Sequence, residues 1–155
     1  MTVSASSTFA FTGDFTVEFW LNYKGGNGYV FFWTNNSGTG DYIGYGLNNS
    51  TKNPWVWNNG NVLTTNTSIT NDVWQHHALV RSGSTLKIYL DGSEIGSTTT
   101  STQFGTGNQP FYIGWNSSND TQSTNGYMAD VRVVNGTALY TSAFTPPTER
   151  LTDVS

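Results

Sequence analysis

Two consecutive hairpins can be read from the segment Trp74–Ser97, WQHHALVRSGSTLKIYLDGSEIGS. Trp74, His76, Ala78 and Val80 alternate with Gln75, His77, Leu79 and Arg81, the period-2 pattern of a strand. Ser82-Gly83-Ser84 then turns the chain. Leu86, Ile88 and Leu90 next alternate with Lys87 and Tyr89, and Asp91-Gly92 follows at once. Asp-Gly between alternating runs predicts a two-residue hairpin, because the mirror-image turn needs positive φ at both central positions. Few patterns constrain a chain more: the segment must lie in an antiparallel sheet.

The rest of the sequence agrees. Aromatic residues make up 15% of the 155 positions, and Ser, Thr, Asn and Gly fill the spaces between apolar runs. Aromatic and β-branched residues favour strands, and no window has a helical period. Phe15 to Leu21 reads as a central strand with aromatics on both faces. Further strands are expected over Tyr29 to Trp33, Asp41 to Leu47, Pro54 to Trp57, Val62 to Ile69, Phe111 to Trp115 and Gly126 to Val134. Many short strands separated by turn signals indicate one all-β domain over residues 1–155, an antiparallel β-sandwich.

Charge is scarce, at 10% of residues with a formal net of −4, and the six basic residues are scattered. Nucleic acid is therefore not an expected partner, since phosphates call for clustered Lys and Arg. No apolar stretch has the length of a membrane span. Cysteine is absent, which excludes a disulfide framework and thiolate chemistry and favours a bacterial or bacterial-virus source. The N-terminus, MTVSASSTFAFTGDF, lacks the basic start and apolar core of a signal peptide. Release of a virion by lysis is one route outward that needs no such signal.

Several motifs carry a family resemblance. The Trp74-x-His76-x-Ala78 strand, its Gly turn and the strand ending in Asp91-Gly92 resemble the central hairpins of laminin-G-like, concanavalin A-like jelly rolls. GYMADVRVVNGTALYTSAFTPPTERL, residues 126–151, resembles the ending of laminin-G-like domains of tailed-phage structural proteins. Gly13 to Trp20 and Phe111 to Gly114 match two further strands. The resemblance implies a concanavalin A-like (laminin-G-like) jelly roll. It departs from the family pattern at the start, where only residues 2–11 precede the Gly13-Asp14-Phe15-Thr16 region. Residues 2–5 are expected to form a truncated edge strand, and an open edge tends to pair with a neighbouring subunit or another virion protein.

The related glucanases make hydrolysis worth testing. It needs two carboxylates held roughly 5–9 Å apart, presented in those relatives as Glu-x-Asp-x-x-Glu-type clusters. Here Glu18, Glu94 and Glu149 are isolated from other acids. Asp130 and Arg132, two apart on one strand, read as a structural ion pair that could include Glu18. His76 and His77 point to opposite faces and so cannot chelate one metal together; both are expected to be structural. No catalytic residue and no enzymatic activity are expected. Calcium, bound by some relatives, takes about six to eight oxygen ligands. Asp41 beside Asn35 and Asn36, and Asp120 beside Asn116 and Asn119, offer one carboxylate each, which makes weak sites; no other cofactor is expected.

Sugar binding has the strongest support among ligand classes. Such sites pair an aromatic platform with planar amides that hydrogen-bond hydroxyls. Trp33, Tyr42, Tyr45, Trp55, Trp57 and Trp115 lie beside Asn-rich loops, with Asn58 and Asn116 as candidate amides. If Val56 points inward, Trp55 and Trp57 form an exposed strip on the opposite face. The Asn-x-Ser/Thr triplets read as accidents of composition. The expected function is a non-enzymatic surface protein of a tailed-phage virion, decorating capsid or tail and touching host-cell glycans. A free-standing bacterial lectin or adhesin is the alternative, and a glycan hydrolase a weaker one.

Overall fold

A computed structural model describes residues 1–26, 30–34, 42–105, 107–115 and 122–152. Among these residues are eleven strands: β1 Thr2–Ser6, β2 Phe15–Tyr23, β3 Val30–Thr34, β4 Gly44–Leu47, β5 Pro54–Trp57, β6 Asn61–Thr64, β7 Trp74–Ser82, β8 Thr85–Leu90, β9 Ser93–Thr99, β10 Gln109–Ile113 and β11 Gly126–Asn135. They form two antiparallel sheets, one in the order β1-β10-β3-β4-β5-β6 and the other β11-β2-β7-β8-β9. The expected all-β sandwich is therefore present. No helix among the described residues is long and apolar enough to cross a membrane.

The hairpin signals act as predicted. Leu90 pairs with Ser93 across Asp91-Gly92, whose φ values of 49° and 78° are both positive. Ser82 pairs with Thr85 across Gly83-Ser84. Residues 2–5 do form an edge strand: β1 pairs with β10 in the register Thr2 to Tyr112. Pro54 to Trp57 is a strand with the predicted bounds.

Alternation along each strand decides what is buried. Phe15, Val17, Phe19, Leu21 and Tyr23 of β2 point between the sheets and meet Phe31, Phe32, Tyr45, Val56 and Phe111 from the other layer. Aromatic rings dominate this core and bury large areas each. His77 belongs to it, stacked on Phe19 with ring centroids 5.2 Å apart. Its Nδ1 meets the Tyr45 hydroxyl at 3.0 Å. Complete burial and the neighbouring His76 push its pKa down to about 3.

The outer face of the second sheet has its own cover. After β11 the chain folds back, and Ala138, Tyr140 and Phe144 pack on Ala78, Val80 and Tyr89. Tyr140 and Phe144 stack at 3.6 Å. The Phe144 N–H donates to the Gly92 carbonyl at 3.0 Å. This C-terminal strap is thereby tied to the Asp91-Gly92 hairpin turn.

Candidate functional site

The strand register places a row of aromatic positions on the outer face of the six-stranded sheet. Tyr112 of β10 is opposite Trp33 of β3, Trp33 is opposite Gly44 of β4, and Gly44 is opposite Trp57 of β5. Trp55 faces Gly46 in the same way. The residues between them, Phe32, Tyr45 and Val56, point inward and are buried. The condition set for an exposed tryptophan strip is thus met: Val56 is in the core, and Trp55 and Trp57 share the opposite face.

β4 leaves a trough on this face, because its two outward positions are glycines. Trp33 leans into it. A β-carbon at Gly44 would stand 2.2 Å from the Trp33 Cζ3 atom, so only glycine admits the ring there. Tyr42 stacks on Trp33 from the other direction, at 4.7 Å and 29°. Its hydroxyl accepts a hydrogen bond from the Asn59 N–H at 3.1 Å, which anchors it to the β5–β6 turn. Trp33 is held on both sides and is only 8% exposed, whereas Trp57 is 39% exposed. Trp55 and Trp57 meet edge to face at 6.0 Å.

Between these rings lies a cleft of about 410 Å³, lined by Trp33, Trp55 and Trp57 with Asn48, Asn49 and Gln122. The loop carrying the two asparagines is braced from within. The Asn48 Oδ1 accepts the N–H groups of Ser50 and Thr51 at 3.0 Å each. Lys52 takes a left-handed φ of 59° and donates through Nζ to the Asn49 and Gly26 carbonyls at 2.7 and 2.9 Å. The oxygen of Asn48 is thereby committed to the turn, and its exposed amide NH₂ has no partner among the described residues. The indole N–H of Trp33 is buried and likewise has no acceptor. Among the described residues, no charged side chain lines the cleft. Aromatic faces with amide donors and acceptors suit an uncharged, hydroxyl-rich ligand.

The other sequence-selected residues separate into distinct groups. Tyr45 is a correction: it is fully buried on the inner face, bonded to His77, and offers no surface to a ligand. Asn58 directs its amide to the Gln103 carbonyl at 3.4 Å and does not line the cleft. Trp115 packs edge-on against Tyr112 at 5.2 Å, which extends the aromatic row beyond the cleft. Asn116 and the calcium candidates Asp41 and Asp120, with Asn35, Asn36 and Asn119, lie outside the described residues. Asn48, Asn49, Gln122 and Tyr112 were missed. The first two stood in an Asn-rich loop, Asn48 to Asn53, flanking a noted strand, but nothing local singled them out.

The acids are arranged differently from the sequence expectation. The Asp130–Arg132 pair is not formed. A bulge between Ala129 and Arg132 places Asp130 at a left-handed φ of 48° and breaks the alternation that would have put both on one face. Arg132 instead pairs with Glu18, through Nε at 2.8 Å and Nη2 at 2.5 Å. Tyr140 donates its hydroxyl to the Glu18 Oε2 at 2.9 Å, and His76 Nε2 lies 3.1 Å from the same oxygen. Glu18 and His76 are both wholly buried. Burial alone would raise the Glu18 pKa, but its bonds to His76, Arg132 and Tyr140 outweigh it and hold the carboxyl below the usual range. The cluster fastens the strap to β2 and β7. The opposite facing of the two histidines also stands, with His76 under the strap and His77 in the core.

Comparison with known proteins gives the frame for this site. A family model described as the concanavalin A-like lectin/glucanases superfamily matches residues 1–141. A search of curated protein sequences gives no match. Among solved structures, a proposed carbohydrate-binding protein of Bacteroides ovatus superposes with a TM-score of 0.66 at 19% identity, covering 93% of this chain and 42% of that one. Domain 4 of an extracellular arabinanase of Geobacillus stearothermophilus, solved with arabinotriose, gives 0.63 at 16% identity, covering 88% and 66%. The carbohydrate-binding module CBM66 of Bacillus subtilis gives 0.52 at 18%, covering 87% and 78%. This chain spans less than two thirds of the first two proteins, and at these identities the likeness is one of fold. With a laminin-G family match over nearly its whole length and a two-sheet antiparallel sandwich to go with it, the chain belongs to the concanavalin A-like lectin/glucanase superfamily.

Proposed function

We propose that this domain is a carbohydrate-binding module whose Trp33–Trp55–Trp57 cleft holds a neutral glycan. The observation that carries this is the cleft's lining, in which a half-open tryptophan pair stands beside two asparagines on a braced loop and none of the described residues is charged. Aromatic surfaces stack on the C–H faces of sugar rings, and amides of fixed orientation select among hydroxyl positions. The names of its structural neighbours, a proposed carbohydrate-binding protein, a domain solved with arabinotriose and a carbohydrate-binding module, support the same ligand class.

We assign the module a binding role rather than a hydrolytic one. Glu18, the most heavily bonded acid among the described residues, is fully enclosed beneath the strap and cannot reach a glycosidic oxygen, and no acid among those residues lines the cleft. A neutral-glycan array with the purified domain tests the proposal, and reducing-sugar release from any glycan it retains would contradict it.

The place of action we propose is the surface of a tailed-phage virion, as decoration or tail protein, on the basis of the residue 126–151 resemblance. In that setting β1, terminal in its sheet, is the edge through which a neighbouring subunit or virion protein would pair. A free-standing bacterial lectin is the second reading, favoured by the likeness to the Bacteroides and Bacillus proteins. Proteomics of purified virions separates the two, because only the first puts this chain in the particle.

A further inference from the structure

We infer that the opposite sheet carries a second saccharide site, in the groove between Trp20, Trp74 and the end of the C-terminal strap. The strap covers the outer face of the five-stranded sheet over the rows of Thr16 and Glu18 and over His76, the partner of Trp20 in the next row. Beyond it Trp20 is half-buried, while Trp74 and Tyr127 face solvent. There a groove of about 570 Å³ is lined by Trp20, Trp74, Asp130, Thr148, Glu149 and Arg150, with Ala129 and Pro147. Trp74 is 46% exposed, a large apolar surface to leave facing water.

Three features point to a sugar. The first is charge without pairing: among the described residues, Asp130, Glu149 and Arg150 line one groove, yet none of them makes an ion pair or a hydrogen bond. Carboxylates accept from paired hydroxyls and the guanidinium fork donates to hydroxyl and ring oxygens. The second is the placement of Asp130, which the β11 bulge and its left-handed backbone turn out of the strand's alternation to line this groove. The third lies in the next row. Asn22 stands in register between Trp74 and Tyr127, beside the groove rather than in its lining, with its Oδ1 buried and unpartnered and the residue 8% exposed. Tyr127 is 64% exposed. The open end of this face thus carries aromatic rings on either side of an unbonded amide, beside unpaired charged groups.

The charge balance narrows the ligand. Among the described residues, two carboxylates against one guanidinium make the groove lining net negative, so it disfavours uronic, sialic and sulfated sugars and suits a neutral saccharide. The same charge would also draw a basic peptide, which the oligolysine arm of the test distinguishes. The groove uses none of the residues of the Trp33–Trp55–Trp57 cleft and stands or falls apart from it. With both sites occupied, one chain would bridge two glycans from opposite faces.

The test is fluorine NMR of the domain labelled with 5-fluorotryptophan, whose six indoles report separately. Trp20 and Trp74 signals are assigned with Trp20→Phe and Trp74→Phe. The probes are maltohexaose, cellohexaose, mannohexaose and chitohexaose, with oligogalacturonate and oligolysine as charged competitors. The expected result is that at least one neutral hexasaccharide shifts the Trp20 and Trp74 signals saturably. Asp130→Asn, which the left-handed backbone tolerates as it does Asp, should weaken that shift about tenfold, the loss of one good contact. Trp57→Ala should leave it unchanged. Silence of both signals toward every neutral probe at about 10 mM, beyond the millimolar affinity range, would overturn the site. So would a larger shift with oligogalacturonate or oligolysine, or release of reducing ends. Shifts confined to Trp55 and Trp57 would uphold the first cleft and reject the second.

Discussion

Trp33 rests on Gly44 so closely that a β-carbon there would stand 2.2 Å from the indole. The backbone at Gly44 needs no left-handed φ, so the requirement for glycine is steric alone. Gly44→Ala should therefore destabilise the domain by about 1–3 kcal/mol, the usual cost of overpacking. It should also weaken glycan binding by displacing Trp33 from the cleft wall. A denaturant titration checks the first effect. The double variant Gly44→Ala with Trp33→Leu should be less unstable than the sum of the single changes, because the two act through one contact.

Gly92 meets a second close approach, to the strap. A β-carbon at this position would lie 1.8 Å from the Phe144 carbonyl oxygen, and φ is 78°. Gly92→Ala should free the strap and cost more than about 2 kcal/mol, since it combines a clash with a strained backbone. Limited proteolysis should cut within residues 137–152 in the variant and spare them in the parent.

Glu18 links the strap to the sheet through Arg132, Tyr140 and His76. Tyr140→Phe removes one donor and should cost about 1–2 kcal/mol. Glu18→Leu leaves the Arg132 guanidinium and His76 without their partner and should cost about 3–5 kcal/mol. Equal losses from the two variants, measured by urea unfolding, would show that Glu18 is not the centre of the cluster.

Acid should destabilise the fold in two stages. His77 has its pKa pushed down from 6.5 to about 3, so it stays neutral in the folded state while the unfolded chain takes up a proton. Its contribution is complete above pH 6.5 and is lost as pH falls toward 3, at about 1.4 kcal/mol per pH unit. Glu18, held below its ordinary value of 4.5, adds a further loss only below that pH, as its folded form is protonated. His77→Gln should flatten the slope between pH 6.5 and 4.5 and leave the steeper fall below it. A slope unchanged by His77→Gln would contradict the assignment.

What was legible in the sequence was local. Asp91-Gly92 announced its turn because only a few residue pairs tolerate two positive φ values in succession. The strand at Pro54 to Trp57 was found with its bounds because turn residues enclose it on both sides. Tyr45 was misplaced because nearness to an Asn-rich loop says nothing about facing, which period-2 alternation from Gly44 decides. Tyr112 escaped notice because its place opposite Trp33 depends on pairing between β10 and β3, which are distant in sequence. Asp130 and Arg132 looked like partners only as long as the strand was taken to be regular. A one-residue bulge was enough to send one to the groove and the other to Glu18.

The most direct measurement is the affinity of the purified domain for a neutral glycan retained on an array, in the parent and in the Trp55→Ala/Trp57→Ala double variant. Saturable binding in the parent that falls by about a hundredfold or more in the variant, two stacking contacts' worth at roughly 1.4 kcal/mol each, is the predicted result. Binding that survives the double change, in a variant that keeps the parent's unfolding cooperativity, would contradict a glycan site in this cleft.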